Sequence, residues 1–106
     1  MKLLTTKLKE RFKEVGSQEE EKDPLVIAKF FNPTGAGTWY ATAYIPQEKV
    51  FFGYVSLFGE HNDEWGYFSL EELESFNGTL GLGIERDLYV SEEKISEFEP
   101  KAVLQS

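Results

Sequence analysis

The side chains with the clearest chemical potential are Glu85, Arg86 and Asp87, together with the single histidine, His61. Alternation along an extended strand would place Glu85 and Asp87 side by side on one face. Such carboxylates can act as general acid and base, or hold a divalent cation when further oxygen or nitrogen ligands are near. One hypothesis is therefore a small acid–base or metal-dependent enzyme that uses Glu85, Asp87 and His61. Two acids alone match no established site, so the sequence predicts no metal or cofactor and assigns no catalytic residue.

Arg86 lies on the opposite face of the same predicted strand, over residues 82–90. The residues that share its face are apolar: Leu82, Ile84, Leu88 and Val90. Because a buried guanidinium without partners costs several kcal/mol, Arg86 is expected to meet backbone carbonyls and a carboxylate, or else to reach the sheet edge and extend its charged end into water. The predicted structural ion pair joins Arg86 to one of Glu60, Asp63 and Glu64. Glu85, Arg86 and Asp87 also remain candidate binding residues for a substrate or partner.

Several familiar chemistries have no support in the chain. There is no cysteine and no Gly-x-Ser-x-Gly elbow, so covalent catalysis is not expected. The glycines at positions 78, 81 and 83 have the wrong spacing for a phosphate-binding loop and precede a strand. His61 stands among polar residues and is interpreted as the tip of a loop.

The charge is unevenly placed along the chain. Residues 1–16 carry five basic and two acidic side chains, a net charge of +3. Since the whole chain has a net charge of −8, the remaining residues carry −11. Between Leu57 and Glu99 twelve acids face only Arg86 and Lys94. This surplus would repel phosphate backbones and attract a basic protein surface. Nucleic-acid binding through the basic N-terminal helix is kept as an alternative.

Aromatic residues are numerous, with nine Phe, five Tyr and two Trp. Trp39 and Tyr40, and the cluster Phe51-Phe52-Tyr54, could stack bases as aromatic sheet faces do in RNA-binding domains. The scarcity of Lys and Arg in this region favours core packing. An aromatic patch left exposed on the surface would instead suit a protein partner, so Trp39 and Tyr40 are candidate binding residues.

The periodicity predicts an α+β fold with an N-terminal helix, a mainly antiparallel sheet of four or five strands and two short helices in the C-terminal half. The first helix should run from Thr6 to Val15 and stop at Gly16. Strands are predicted at residues 25–31, 38–45, 50–58, 64–68 and 82–90. In strand 38–45, alternation places Trp39, Ala41, Ala43 and Ile45 on one face. Short helices should begin at the capping box Ser69-Leu70-Glu71-Glu72 and at Ser91-Glu92-Glu93.

The domain prediction is one unit over residues 1–106, because two cores would each be too small. Residues 17–23 are expected to form a mobile acidic connector, and residues 101–106 a frayed tail. The apolar pair Leu3-Leu4 is too short for a secretion signal, and no stretch approaches the roughly 20 apolar residues that span a bilayer. Together with the missing cysteine, this predicts a cytoplasmic protein without a membrane partner.

Six ordered blocks, which cover most of the chain, resemble the bacterial domain-of-unknown-function family 2958. The blocks are Leu3-Leu4-Thr5, Lys29-Phe30-Phe31-Asn32-Pro33, Thr38-Trp39-Tyr40-Ala41-Thr42, Phe51-Phe52-Gly53, Gly66-Tyr67-Phe68-Ser69-Leu70-Glu71-Glu72-Leu73 and Gly81-x-x-Ile84-Glu85-Arg86-Asp87-Leu88-Tyr89. The resemblance implies a small protein often carried by plasmids, conjugative elements and phage-related islands. It implies no catalytic residues, and neither the connector nor the His61 loop belongs to the blocks.

The preferred functional hypothesis is a non-enzymatic cytoplasmic protein-binding module, an accessory or counter-defence factor of a mobile element, whose acidic half meets a basic protein. Its oligomeric state is left open.

Overall fold

The N-terminal helix, α1, spans Thr6–Val15 in the computed structural model, which describes residues 2–57 and 63–104. Thr5 caps the helix, because its Oγ1 accepts the Leu8 N–H at 3.2 Å. Gly16 ends it with φ 82°, and its N–H donates to the Phe12 carbonyl at 2.9 Å. The predicted start and stop of α1 are thus confirmed.

Seven strands follow in the described residues, in antiparallel pairs. They are β1 Leu25–Val26, β2 Ala28–Phe31, β3 Thr38–Ile45, β4 Val50–Ser56, β5 Glu64–Ser69, β6 Glu85–Arg86 and β7 Glu93–Lys94. Five of them form one sheet in the order β5-β4-β3-β2-β6, while β1 and β7 form a separate two-stranded sheet. The main sheet therefore has β5 and β6 at its two edges.

The second helix, α2, spans Leu70–Ser75 directly after β5. The predicted cap is present, since Ser69 Oγ accepts the Glu72 N–H at 3.2 Å. Three short 3-10 helices complete the described chain: Thr79–Gly81, Ile95–Glu97 and Pro100–Ala102. The helix predicted to begin at Ser91-Glu92-Glu93 is wrong at its start, because Glu93 and Lys94 pair with β1 as a strand and only a 3-10 turn at Ile95–Glu97 follows. The α+β fold class is confirmed. None of the helices in residues 2–57 and 63–104 has the length and apolar character to span a bilayer.

One face of the sheet, called the helix face here, packs against α1 and α2. Phe51 lies at its centre, with ring centroids 5.8 Å from Phe12 and 5.1 Å from Phe30. Leu73 of α2 and the N-terminal Leu3 and Leu4 are buried in the same cluster. Aromatic burial of this kind is a large apolar contribution to stability.

The opposite face, called the C-terminal face here, is covered in part by residues 95–104. Ile95 is fully buried and Ala102 is 2% exposed, packed with Tyr40 and Tyr54. The Leu104 N–H donates to the Lys22 carbonyl at 2.8 Å. Residues 101–104, for which the sequence predicted fraying, are thus packed onto the sheet, because the small side chain of Ala102 fits beside the aromatic rings. Residues 105–106 lie outside the described part.

A β-bulge in β3 changes which side chains share a face. Ala41 pairs with Gly53 and Ala43 with Phe52, so that Thr42 is an extra residue. Tyr44 consequently packs against Phe51 on the helix face, and Ala43 lies on the opposite face. The predicted alternation of Trp39, Ala41, Ala43 and Ile45 is therefore wrong beyond Ala41.

The connector over residues 17–23 is tied to the sheet by Gln18. Its amide nitrogen Nε2 donates to the carbonyls of Thr42 at 2.7 Å and Leu25 at 2.9 Å, and its Oε1 accepts the Leu25 N–H at 2.8 Å. The bulged residue Thr42 is 1% exposed, so Gln18 supplies a partner for a buried carbonyl. The neighbouring acidic side chains, from Glu19 to Glu21, are exposed.

The predicted strand over residues 82–90 is much shorter in the structure. Only Glu85 and Arg86 pair, with Phe31 and Phe30 of β2. Asp87 Oδ1 accepts the Tyr89 N–H at 3.0 Å, which closes a turn and ends the strand. Leu88 is 61% exposed as a result. The predicted strand over residues 25–31 is likewise divided, at Ile27, between the two sheets.

We expect Gly53→Ala to destabilise the fold strongly, because a Cβ at this position would collide with the Tyr40 carbonyl behind the bulge. Overpacking of this kind should cost about 1–3 kcal/mol of unfolding free energy or more. Gly66→Ala is the matched control, since a Cβ there meets nothing within 4 Å. It should be neutral or stabilise by up to about 1 kcal/mol. Urea unfolding of both variants measures the difference, and equal stabilities would contradict the assignment of the bulge.

We expect Gln18→Ala to lower the unfolding free energy by about 1–3 kcal/mol, because it leaves the buried Thr42 carbonyl without its donor. Gln47→Ala removes an exposed side chain of the same type and should change stability by less than about 0.5 kcal/mol. Denaturant unfolding compares the two. A Gln18 variant as stable as the Gln47 variant would show that the connector does not support the bulge.

Candidate binding surface

Arg86 fastens the N-terminus of the chain to the β6 edge of the sheet. It pairs in register with the buried Phe30, and its Nη1 donates to the carbonyls of Lys2 at 2.5 Å and Leu3 at 3.1 Å. The expected contacts with backbone carbonyls are therefore present. Leu3 and Leu4, which follow directly, are buried in the helix-face core.

Three carboxylates were predicted as possible partners of Arg86. Glu60 is one of them and lies outside the described residues, so its pairing with Arg86 stays a prediction. Glu64 belongs to β5, at the opposite edge of the sheet from Arg86, and is exposed. Asp63 contacts Lys101 instead, with Oδ2 2.8 Å from Nζ. His61 also lies outside the described residues.

Asp87 is engaged in local structure. Its Oδ2 lies 3.5 Å from Lys29 Nζ, and its N–H donates to the Lys29 carbonyl at 2.9 Å. Glu85 is half-buried opposite Phe31. In residues 2–57 and 63–104 no three His, Asp or Glu side chains lie close enough together to hold a metal ion. Glu85 thus lies in the edge strand β6 and Asp87 directly after it, and the cationic partner of Asp87 is Lys29.

Trp39 and Tyr40 lie on opposite faces of β3 and form no common platform. Trp39 is partly buried against the helix-face core. Tyr40 is 5% exposed on the C-terminal face, where its hydroxyl donates to Glu99 Oε2 at 2.8 Å. Burial first, and then the hydrogen bond to Glu99, raise the pKa of Tyr40, so that the phenol stays protonated and acts as a donor. The structure brings neither residue to the edge that carries Glu85, Arg86 and Asp87.

A polar cluster clamps the C-terminal segment onto the sheet. Lys101 Nζ lies 2.8 Å from Asp63 Oδ2 and 3.9 Å from Glu99 Oε1. The Asp63 side chain is only 1% exposed. Burial raises the pKa of Asp63, but the ion pair with Lys101, aided by the neighbouring Ser56 and Tyr54 hydroxyls, outweighs it and leaves the pKa below its usual value. No local pattern in the chain predicts the pair of Asp63 and Lys101, because the two residues are far apart in sequence.

An aromatic groove lies on the C-terminal face where residues 95–104 leave the sheet uncovered. Its floor includes Thr42, Ala43, Phe52, Trp65 and Tyr67, its walls come from α1, the connector and the β3–β4 turn, and the volume of the whole cavity is about 800 Å³. Phe52 and Trp65 stack with centroids 5.9 Å apart and planes 16° apart. Tyr67 meets the edge of Phe52 at 5.0 Å and is 69% exposed. Of the aromatic cluster noted in the sequence, only Phe52 reaches this groove, since Phe51 lies in the helix-face core.

Acidic side chains flank the two ends of β5. Glu64 stands at the start of the strand, and Glu71 and Glu72 follow its end in the first turn of α2; all three are exposed. Residues 57–85 contain seven acids and no Lys or Arg. Among the described residues none of the three forms an ion pair. We call β5 together with Glu64, Glu71 and Glu72 the acidic edge.

The basic N-terminal helix is partly neutralised. Arg11 donates from Nε and Nη2 to the carboxylate of Glu92 at 2.8–3.0 Å, and its Nη1 lies 3.7 Å from Glu14. The hydrogen bond to Glu92 raises the pKa of Arg11. Lys7, Lys9 and Lys13 remain exposed on the helix.

We expect Asp63→Asn to weaken the fold near neutral pH and to matter less in acid. Because the pKa of Asp63 is lowered in the folded protein, its contribution is present above the ordinary carboxyl value and is lost as the pH falls through the folded value. Urea unfolding of the wild type and the variant at pH 6, and then at a series of pH values below about 4, should show converging stabilities. Glu97→Gln, which removes an exposed carboxylate, is the control. A gap that stays constant with pH would contradict the role of the Asp63 charge.

Residues 3–105, nearly the whole chain, match the family described as "Protein of unknown function (DUF2958)". Comparison with curated proteins and with solved structures finds no match. α1, the five-stranded sheet, Arg86 and the acidic edge all fall within the matched range, and the chain belongs to the DUF2958 family.

Proposed function

We propose that the chain is a non-enzymatic protein-binding module of the cytoplasm that holds a basic partner protein at its acidic edge. The observation that carries this proposal is the set of exposed carboxylates at both ends of an edge strand, Glu64 before it and Glu71 and Glu72 after it. Their region of the sequence, residues 57–85, supplies no Lys or Arg to neutralise them.

The spacing of these charges suits an extended basic surface. A strand of six residues is roughly 17–20 Å long, so every point on it lies within about 10 Å of one end. This distance is comparable with the Debye length at physiological salt, about 8 Å. A basic residue at any point along β5 is therefore attracted by the carboxylates at the nearer end, and a basic segment along the whole strand is attracted by both ends. The exposed Tyr67 ring and the aromatic groove beside it add apolar contact area of the kind enriched in protein interfaces.

The two alternatives have weaker support in the described residues. Acid–base chemistry at Glu85 and Asp87 is disfavoured because the Asp87 carboxylate already pairs with Lys29 and accepts the Tyr89 N–H. Nucleic-acid binding by α1 is disfavoured because the guanidinium of Arg11 is already paired with the Glu92 carboxylate. For context, the family resemblance suggests carriage by plasmids, conjugative elements or phage, where a small binding module would serve as an accessory or counter-defence factor.

We expect neutralisation of the acidic edge to abolish partner capture. The triple variant Glu64→Gln, Glu71→Gln, Glu72→Gln keeps side-chain size, and Gln at position 72 still suits the capping box. The control replaces three exposed acids elsewhere, Glu20, Glu93 and Glu97, with Gln and has the same net charge. Affinity capture from a host lysate, followed by mass spectrometry, should recover a basic protein with the wild type and the control but not with the edge variant.

Capture should also weaken as salt is raised, because the attraction is between exposed charges. Equal recovery by the edge variant and the control would overturn the proposal. Recovery that does not change with salt would do the same, since it would point to an apolar or catalytic contact elsewhere.

A further inference from the structure

The outer side of β5 is an open sheet edge in the part of the chain that the structure describes. β5 pairs only with β4, and its register is continuous from Val50 with Ser69 to Val55 with Glu64. Proteins usually blunt such an edge with a bulge, a proline or a lysine. β5 has none of these, since its sequence is Glu-Trp-Gly-Tyr-Phe-Ser. A regular edge of six residues is therefore available for pairing.

The hydrogen-bond pattern identifies which backbone groups face outward. The Leu70 N–H donates to the Lys49 carbonyl at 3.1 Å, one step beyond the pair of Val50 with Ser69. In an antiparallel ladder bonded and non-bonded pairs alternate. The N–H and C=O groups of Trp65 and Tyr67, and the N–H of Ser69, consequently point away from β4, whereas the Ser69 carbonyl accepts the first hydrogen bond of α2 as its N-cap. None of the turn, loop and cap hydrogen bonds between backbone groups of residues 2–57 and 63–104 reaches these outward groups.

The two faces beside this edge differ in what they offer an added strand. Trp65 and Tyr67 project onto the C-terminal face, where they border the aromatic groove. On the helix face Gly66 has open space, as a Cβ there would meet nothing within 4 Å. An added strand could therefore place one row of side chains against aromatic rings and the other over an unobstructed position.

Charge decides between the possible occupants of the edge. A second copy of this chain would bring another net charge of −8 and another set of edge carboxylates, which disfavours self-pairing. A segment rich in Lys or Arg would instead be attracted from both ends of β5, by Glu64 and by Glu71 and Glu72.

We propose that β5 accepts an extended basic segment of a partner protein as a sixth strand of the sheet. This inference rests on the proposed function and specifies its geometry: main-chain hydrogen bonds to Trp65, Tyr67 and Ser69 supply affinity, and the flanking carboxylates select basic side chains. Binding through a rigid surface of a folded basic protein would use the same charges without these backbone bonds.

The test uses a synthetic peptide of about ten residues in which lysine alternates with valine, a length typical of strands. Titration into the isotopically labelled protein, followed by NMR, should shift the amides of Trp65, Tyr67 and Ser69 and slow their hydrogen exchange. The control peptide has the same side chains but N-methyl groups on two consecutive central residues, which block both of its edges. It should bind at least about fivefold more weakly, the equivalent of one lost backbone hydrogen bond.

A pair of protein variants tests the same bonds from the other side. Tyr67→Ala and Tyr67→Pro both remove the exposed ring, but only the proline removes the outward N–H, which has no partner in β4. The proline variant should bind the peptide about fivefold more weakly than the alanine variant. Thermal unfolding checks that both are folded. If the proline variant fails to fold, the N-methyl comparison alone decides the question.

The outcomes separate this inference from the proposed function. Equal binding of the N-methylated and unmodified peptides would overturn strand addition, while salt-sensitive capture dependent on the acidic edge would leave the proposed function standing. Failure of both peptides to bind would overturn strand addition as well. Concentration-dependent broadening of the β5 amides without peptide would overturn it in favour of a second copy as the occupant.

Discussion

The extra residue at Thr42 is the constraint on which both cores depend. Because side chains alternate along a strand, one inserted residue reverses every later assignment of inside and outside. Tyr40, before the bulge, joins the C-terminal face, whereas Tyr44, after it, reaches Phe12 at 6.1 Å and Phe51 at 5.0 Å on the helix face. A regular β3 would exchange these positions and remove an aromatic ring from the core around α1.

Two neighbours make this bulge possible. Gly53 lets the backbone of β4 approach the Tyr40 carbonyl more closely than any side chain would permit. Gln18 satisfies the Thr42 carbonyl, which leaves the regular ladder, and ties the connector to the same point. Past the bulge, the C-terminal face presents the small Ala43 beside Phe52, and residues 95–104 do not cover this end. The aromatic groove thus follows from the same irregularity that completes the core.

Local signals in the sequence were sufficient for several elements and insufficient for the site. The bounds of α1 follow from its apolar spacing, Thr5 and Gly16, and the start of α2 follows from its capping box. The bulge, the division at Ile27 and the short β6 depend on partner strands, which periodicity alone does not describe. The sequence assigned Glu64 to a possible pair with Arg86, and Glu71 and Glu72 to the capping box of α2, but it did not place the three acids together. Their importance depends on strand order, because β5 becomes an edge only when the whole sheet is assembled.

The acidic edge also explains how a regular edge strand can stay open. An unprotected edge normally invites pairing between like chains, and lysine is a common defence because its charge repels a second copy. Carboxylates at the two ends of β5 repel a second copy equally well. Unlike lysines, they attract a basic strand, so one set of charges both discourages self-association and favours a partner of opposite sign. A purely solubilising role would not require these charges to bracket the one long edge of the sheet, since the other edge, β6, is only two residues long and carries the Arg86 anchor.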